Sequence, residues 1–224
     1  MHALPFSRRQ ALIAGLGCWL VFGLIAVLVQ TGATRAFDTA GMLARRAGPD
    51  LAAIGPAGLT GAFRAITMLG DAQVRNIVVL AAIGILLVLR HTRTALWLAP
   101  VVLPAGLFNG WLKLQFVRPR PDMVPDIVEA GGFSFPSGHA FSSAVLYLAL
   151  VLPFAALATG RARQWTIIAA GLTIAALVAF SRVWLGVHYP SDVLAGWLGG
   201  VGWVLLAWAA LQPWGKGADQ IFSR

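Results

Sequence analysis

The chain alternates long apolar runs with short polar breaks, and the runs exceed what the core of a water-soluble domain requires. A helix that crosses about 30 Å of hydrocarbon needs about 20 mainly apolar residues. Six stretches approach that length: 11–30, about 72–90, about 95–112, about 137–157, about 165–182 and about 192–211. The second is short at its apolar centre, IVVLAAIGILLVL, and Arg75 near its start is expected to snorkel toward the interface. The pattern predicts an all-α, integral membrane six-helix bundle, in a single membrane-embedded domain over 1–224. Between the first two runs, residues 31–71 mix apolar and polar positions around Gly48-Pro49 and Gly55-Pro56. That segment is expected to be amphipathic and interfacial, as two short helices. It would serve as a connecting cover, or as a lid or lipid entrance.

Composition agrees with this. The 224 residues are 58% hydrophobic and 11% charged, against about 25% charged for an ordinary soluble domain. So few polar groups cannot cover a water-facing surface. Cys18 is the single cysteine, so no disulfide forms within the chain. The first apolar run, preceded by Arg8 and Arg9, has the look of a signal peptide. Its length of about 20 residues and the lack of a clean cleavage site favour a retained helix.

The net charge of +9 raises the question of a nucleic-acid partner. The basic residues stand at the ends of apolar runs, not on one face among aromatics, so no nucleic acid is expected. They read instead as flanking residues that orient the chain and meet anionic headgroups. Arg8, Arg9, Arg90, His91, Arg93, Arg161 and Arg163 fall on one side of a six-helix threading, with Lys216 and Arg224 in the tail. That side is expected to be cytoplasmic, with both termini there. For a bacterial source, the membrane is the inner one. The opposite, outer side carries Lys113, Arg118, Arg120 and Arg182 against the usual bias. These four need a chemical reason.

Three clusters on that outer side supply one. In FPSGHA, 135–140, Pro136 suits the first position of a helix. Ser137, Gly138 and His139 would then lie in the first turn, where free N–H groups and the helix dipole make an anion seat. Alone, this is equally an ordinary helix start. In KLQFVRPRPD, 113–122, Lys113 supplies a compact charge and Arg120 a planar fork, stiffened by Pro119 and Pro121. Alone, this is equally an interfacial basic loop. In SRVWLGVHYPSD, 181–192, Pro190 suits another helix start, with His188 just outside it and Asp192 in its first turn. Asp192 can fix the His188 tautomer and leave the other ring nitrogen free to attack phosphorus. Arg182 closes the preceding helix, where a cation also complements the dipole. Together the clusters hold cations, an amide-lined seat and two histidines, one to attack and one to protonate the leaving oxygen. No cofactor is expected. Asp122, Asp126 and Glu129 lack a histidine pair at helical spacing, so no metal site is expected either.

The three motifs are K-x6-R-P from Lys113 to Pro121, P-S-G-H from Pro136 to His139, and S-R-x5-H-x3-D from Ser181 to Asp192. In this order they resemble the type 2 phosphatidic acid phosphatase superfamily. The resemblance implies metal-independent dephosphorylation through a phosphohistidine on a six-helix scaffold. It implies His188 as nucleophile, Asp192 as its orienting partner and His139 as general acid. Lys113, Arg120, Ser137, the Gly138 amide and Arg182 would bind phosphate. Arg118 lies outside the motif and is expected to contact a headgroup at most. The superfamily also holds soluble vanadium haloperoxidases, which the six apolar spans argue against.

The expected partners are the lipid bilayer and a lipid phosphate or diphosphate, of the undecaprenyl diphosphate, phosphatidic acid, phosphatidylglycerol phosphate or lipid A type. The motifs read phosphate and not the tail, and they set no oligomeric state. A lipid phosphotransferase using the same intermediate is the alternative within this chemistry. A lipid transporter or scramblase without hydrolysis is the alternative of another class, and it would place its polar groups near mid-membrane.

Overall fold

A computed structural model of the protein describes residues 2–56 and 58–211. The expected cytoplasmic placement of Lys216 and Arg224 lies outside the described residues. Helix α1 spans Arg8–Gln30, α2 Arg35–Leu43, and a two-residue hairpin pairs β1, Arg46–Ala47, with β2, Ala52–Ala53. Then follow α3 Leu59–Met68, α4 Ala72–Val88, α5 Thr92–Val102, α6 Ala105–Phe116, α7 Gly138–Leu157, α8 Arg161–Trp184 and α9 Pro190–Leu211. The protein is an all-α, multi-pass membrane bundle.

The spans differ from the sequence expectation in two places. Helix α4 has 17 residues, and its run reaches spanning length only together with α3, bent by 52° at a short break. Gly70-Asp71 bends the chain between the two apolar helices, and only if the pair is counted as one broken span does α3 extend that span into the segment expected at the interface. The third run is longer than expected, 92–116, and divides at Leu103-Pro104 into α5 and α6. Pro104 has no N–H to continue the ladder of α5. Counting the bent pair, up to six spans are present among the described residues.

Helix α7 is central. It packs between α8 and α9, with α1 along the far side of α9. Phe141, Val145, Leu146 and Leu152 of α7 join Trp97 and Val101 of α5 and Val204 of α9 in the main apolar cluster. In a bilayer lipid tails are as apolar as leucine, so close packing rather than water exclusion holds such helices together. Two glycines of α9 provide it. A methyl group at Gly196 would fall 2.5 Å from the Ser137 carbonyl oxygen, and one at Gly200 2.5 Å from that of Phe141. This four-residue spacing presses the N-terminal half of α9 against the backbone of α7. As a result the second and third sequence motifs meet at one end of the bundle.

Candidate active site

The site collects at the ends of α6, α7, α8 and α9. Helix α9 begins at Pro190, as its fixed φ predicts. Asp192 reaches back to accept the Tyr189 N–H at 3.0 Å. It is fully buried and accepts three further bonds. Oδ2 takes the Ser134 hydroxyl and faces His188 Nδ1 at 3.4 Å, and Oδ1 takes Arg118 Nη1 at 2.5 Å.

His188 lies in the turn between α8 and α9 and is buried. Its Nε2 is 3.2 Å from Arg120 Nη1. A guanidinium only donates, so Nε2 accepts and carries the lone pair, while Nδ1 carries the hydrogen toward Asp192. Ser134 Oγ also stands 3.3 Å from Nδ1. Burial pushes the His188 pKa down to about 3, against the pull of Asp192, with Lys113 and Arg120 adding to the depression. The ring is therefore neutral at physiological pH.

Arg120 is held rigidly by carbonyl oxygens: Val187 at 2.7 Å and Gly131 at 2.7 Å, with Gly132 at 3.1 Å. Lys113 closes α6 and donates to the carbonyls of Phe133, at 2.5 Å, and Ser134, at 3.2 Å. Arg182, buried in the last turn of α8, donates to Thr67 Oγ1 at 2.8 Å. Gly186, at φ +87°, then turns the chain toward His188.

Helix α7 starts two residues later than expected. Ser137 is its N-cap and Pro136 lies outside the helix, because the Ser137 N–H is committed to the Asp192 carbonyl at 3.0 Å. The first intrahelical bond runs from Phe141 N–H to the Ser137 carbonyl. The N–H groups of Gly138, His139 and Ala140 therefore remain for a ligand. The Ser137 side chain makes no cap bond, and its buried Oγ has no partner. Arg182 Nε and Asn109 Nδ2 are likewise buried without partners. Three such polar atoms around one helix start suit an anion, since each costs about 1–3 kcal/mol unmet.

His139 Nε2 lies 2.7 Å from Asp71 Oδ1, in the bend between α3 and α4. Sequence reasoning missed Asp71, Ser134, Asn109 and Asp38. It also misplaced two arginines. Arg118 does not face headgroups. It bridges Asp192 and Asp38, with Nη2 2.6 Å from Asp38 Oδ2, and lies over the Tyr189 ring. Burial works against its charge, but Asp192 and Asp38 outweigh that and raise its pKa. Asp38, from α2, also accepts the Ser191 N–H and hydroxyl. The 31–71 segment thus contributes a brace to the site. Arg75, expected to snorkel, is buried instead, because Ser142 of α7 and Asn76 accept its guanidinium.

Residues 94–216, more than half of the chain, match the PAP2 superfamily, and the chain belongs to that family. Phosphatidylglycerophosphatase B of Bacillus subtilis is 42% identical over 96 residues, 40% of this chain and 44% of that protein. The undecaprenyl-diphosphatase of Sulfolobus acidocaldarius is 37% identical over 84 residues, 38% of this chain and 35% of its own. The chain thus spans less than half the length of these relatives. The crystal structure of a transmembrane PAP2-type phosphatidylglycerolphosphate phosphatase from Bacillus subtilis superposes with a TM-score of 0.75 at 28% identity. That match covers 94% of this chain and 98% of the other.

Proposed function

We propose that the protein hydrolyses a phosphate ester or diphosphate of a membrane lipid through a phosphohistidine on His188. The observation that carries this reading is the His188 environment. Nε2 accepts from Arg120 and Nδ1 faces Asp192, so the lone pair stands beside a phosphate-binding cation in a neutral ring. Nε2 attacks phosphorus, the bond to the leaving oxygen breaks, and His139 protonates that oxygen. Water then attacks the phosphohistidine, returning its proton to His139 and releasing inorganic phosphate. Lys113, Arg120, Arg182, the Ser137 hydroxyl and the α7 amides hold the transferred phosphoryl oxygens.

Residues 1–224 act as one unit, with the site on the outer face and the termini cytoplasmic. In a bacterium the membrane is the cytoplasmic one. The named relatives favour phosphatidylglycerol phosphate or undecaprenyl diphosphate as substrates. The test is phosphate release by the purified protein from a lipid phosphate in EDTA. Undiminished release that His188→Ala abolishes is expected. Complete loss in EDTA that added metal restores would overturn the reading.

A further inference from the structure

Among the described residues, the proposed phosphate site leaves two buried cations unused: Arg46, which donates to the Trp184 carbonyl oxygen at 2.7 Å, and Arg75, which borders a cavity. Arg75, in the first turns of α4, is 7% exposed. Only neutral oxygens hold its guanidinium: Ser142 Oγ at 3.0 Å from Nη1, and Asn76 Oδ1 at 3.2 Å from Nε and 3.0 Å from Nη2. Among the described residues no carboxylate forms an ion pair with it. A methyl group at Gly106 would fall 2.6 Å from Nη1, so the α6 backbone lies against the guanidinium and fixes it in place. A buried charge held rigid and without a counter-ion is costly. An anion that arrives with the substrate resolves that cost.

Space for one is present. Arg75 lines a cavity of about 450 Å³ that also touches Asn76, Asn109, Gly138, His139 and Ser142. The cavity therefore joins the α7 amide seat to the proposed acid. Asn109, 3% exposed, lines it with its Nδ2 unpartnered. Leu103 and Leu107, 40% and 81% exposed, also line it, which opens a lateral way toward the lipid tails. A second cavity of about 410 Å³ also reaches His139, but its lining includes Asp71 and Glu129 beside Arg64 and Arg182. The Arg75 cavity has no carboxylate in its lining. An anion next to His139 is therefore favoured on the Arg75 side.

We infer that this cavity is the leaving-group subsite, and that Arg75 with Asn109 receives a second anionic phosphoryl group beyond the scissile bond. The inference rests on the phosphatase reading above. His188 Nε2 bonds to the terminal phosphorus and the bond to the leaving oxygen breaks. That oxygen keeps the electron pair and takes the His139 proton. The rest of the lipid, still carrying its own phosphoryl group, remains against Arg75. Two lipid chemistries provide such a group: a diphosphate, and a phosphodiester that bears a terminal phosphate.

The test compares purified wild-type protein with Arg75→Gln and Asn76→Asp. The first removes the charge. The second gives it a bidentate counter-ion without changing side-chain size, so it keeps the test open if Arg75→Gln fails to fold. Each protein is assayed on farnesyl diphosphate against farnesyl phosphate, and on phosphatidylglycerol phosphate against phosphatidic acid. In at least one pair, both folded variants are expected to lower the ratio of kcat/KM values by about 10- to 100-fold, and the pair that responds identifies the chemistry. Ratios unchanged in both pairs, or equal losses on both members, overturn the subsite. No phosphate release by the wild type from any of the four overturns the phosphatase reading itself.

Discussion

Arg118 Nη1 lies 2.5 Å from Asp192 Oδ1, so the carboxylate that faces His188 with one oxygen is braced through the other by a cation. The opposite edge of that guanidinium is held by Asp38 of α2. The chain thus ties its amphipathic segment to the orientation of the candidate nucleophile through one half-buried arginine. Replacement of Arg118 by Met keeps much of the volume and leaves two buried carboxylates without their cation. A loss of about 3–5 kcal/mol is expected for breaking such a group, with at least a tenfold fall in kcat/KM as Asp192 loses its position. Adding Asp38→Asn removes one of the two orphaned charges and should recover part of the stability. Thermal unfolding in detergent of the single and double variants measures this, and an additive double variant would show that the two residues act separately.

His139 is proposed as the acid, and its role depends on how much help the leaving oxygen needs. His139→Ala should lose about 100-fold or more on an alkyl phosphate, and far less on 4-nitrophenyl phosphate, whose leaving oxygen departs without a proton. Asp71→Asn removes the carboxylate at 2.7 Å from the ring and should shift the two substrates in the same sense, by a smaller factor. Steady-state kcat/KM on both substrates provides the comparison. Equal losses on both would remove His139 from the acid role.

Much of the scaffold was legible because hydrophobic runs carry their own length scale. The runs from 138 to 157 and from 190 to 211 begin and end within two residues of the expected bounds. The helix bounds departed from the expectation where an apolar run is not one straight helix. Asp71 sits in a bend between apolar stretches, and hydropathy cannot tell a bent span from an interfacial helix followed by a short one. The motif residues stood out because polar side chains are rare in so apolar a chain. Their supports did not. Asp38 lies 154 residues before Asp192 in sequence and meets it only through Arg118. Arg75 and Ser142 lie on helices whose contact no local pattern announces. Arg118 was visible, but a basic residue near a membrane surface is ordinarily a headgroup contact. Only the two carboxylates facing it give it a different task.

Acid should destabilise the protein in part through His188. Burial pushes its folded pKa down to about 3, while in the unfolded chain it sits near 6.5. Between these values the unfolded state takes up a proton that the folded state refuses, so stability falls as pH drops from about 6.5 toward 3. Above about 6.5 the ring is neutral in both states and contributes no slope. Stability is a cleaner readout than rate, because a phosphate monoester itself titrates near pH 6. His188→Gln keeps a neutral polar side chain and removes the titration. Melting temperatures in detergent at three pH values from about 4.5 to 7.5 should decline less steeply with acid in that variant than in the wild type. Parallel curves for the two proteins would mean that the His188 pKa is not depressed in the fold.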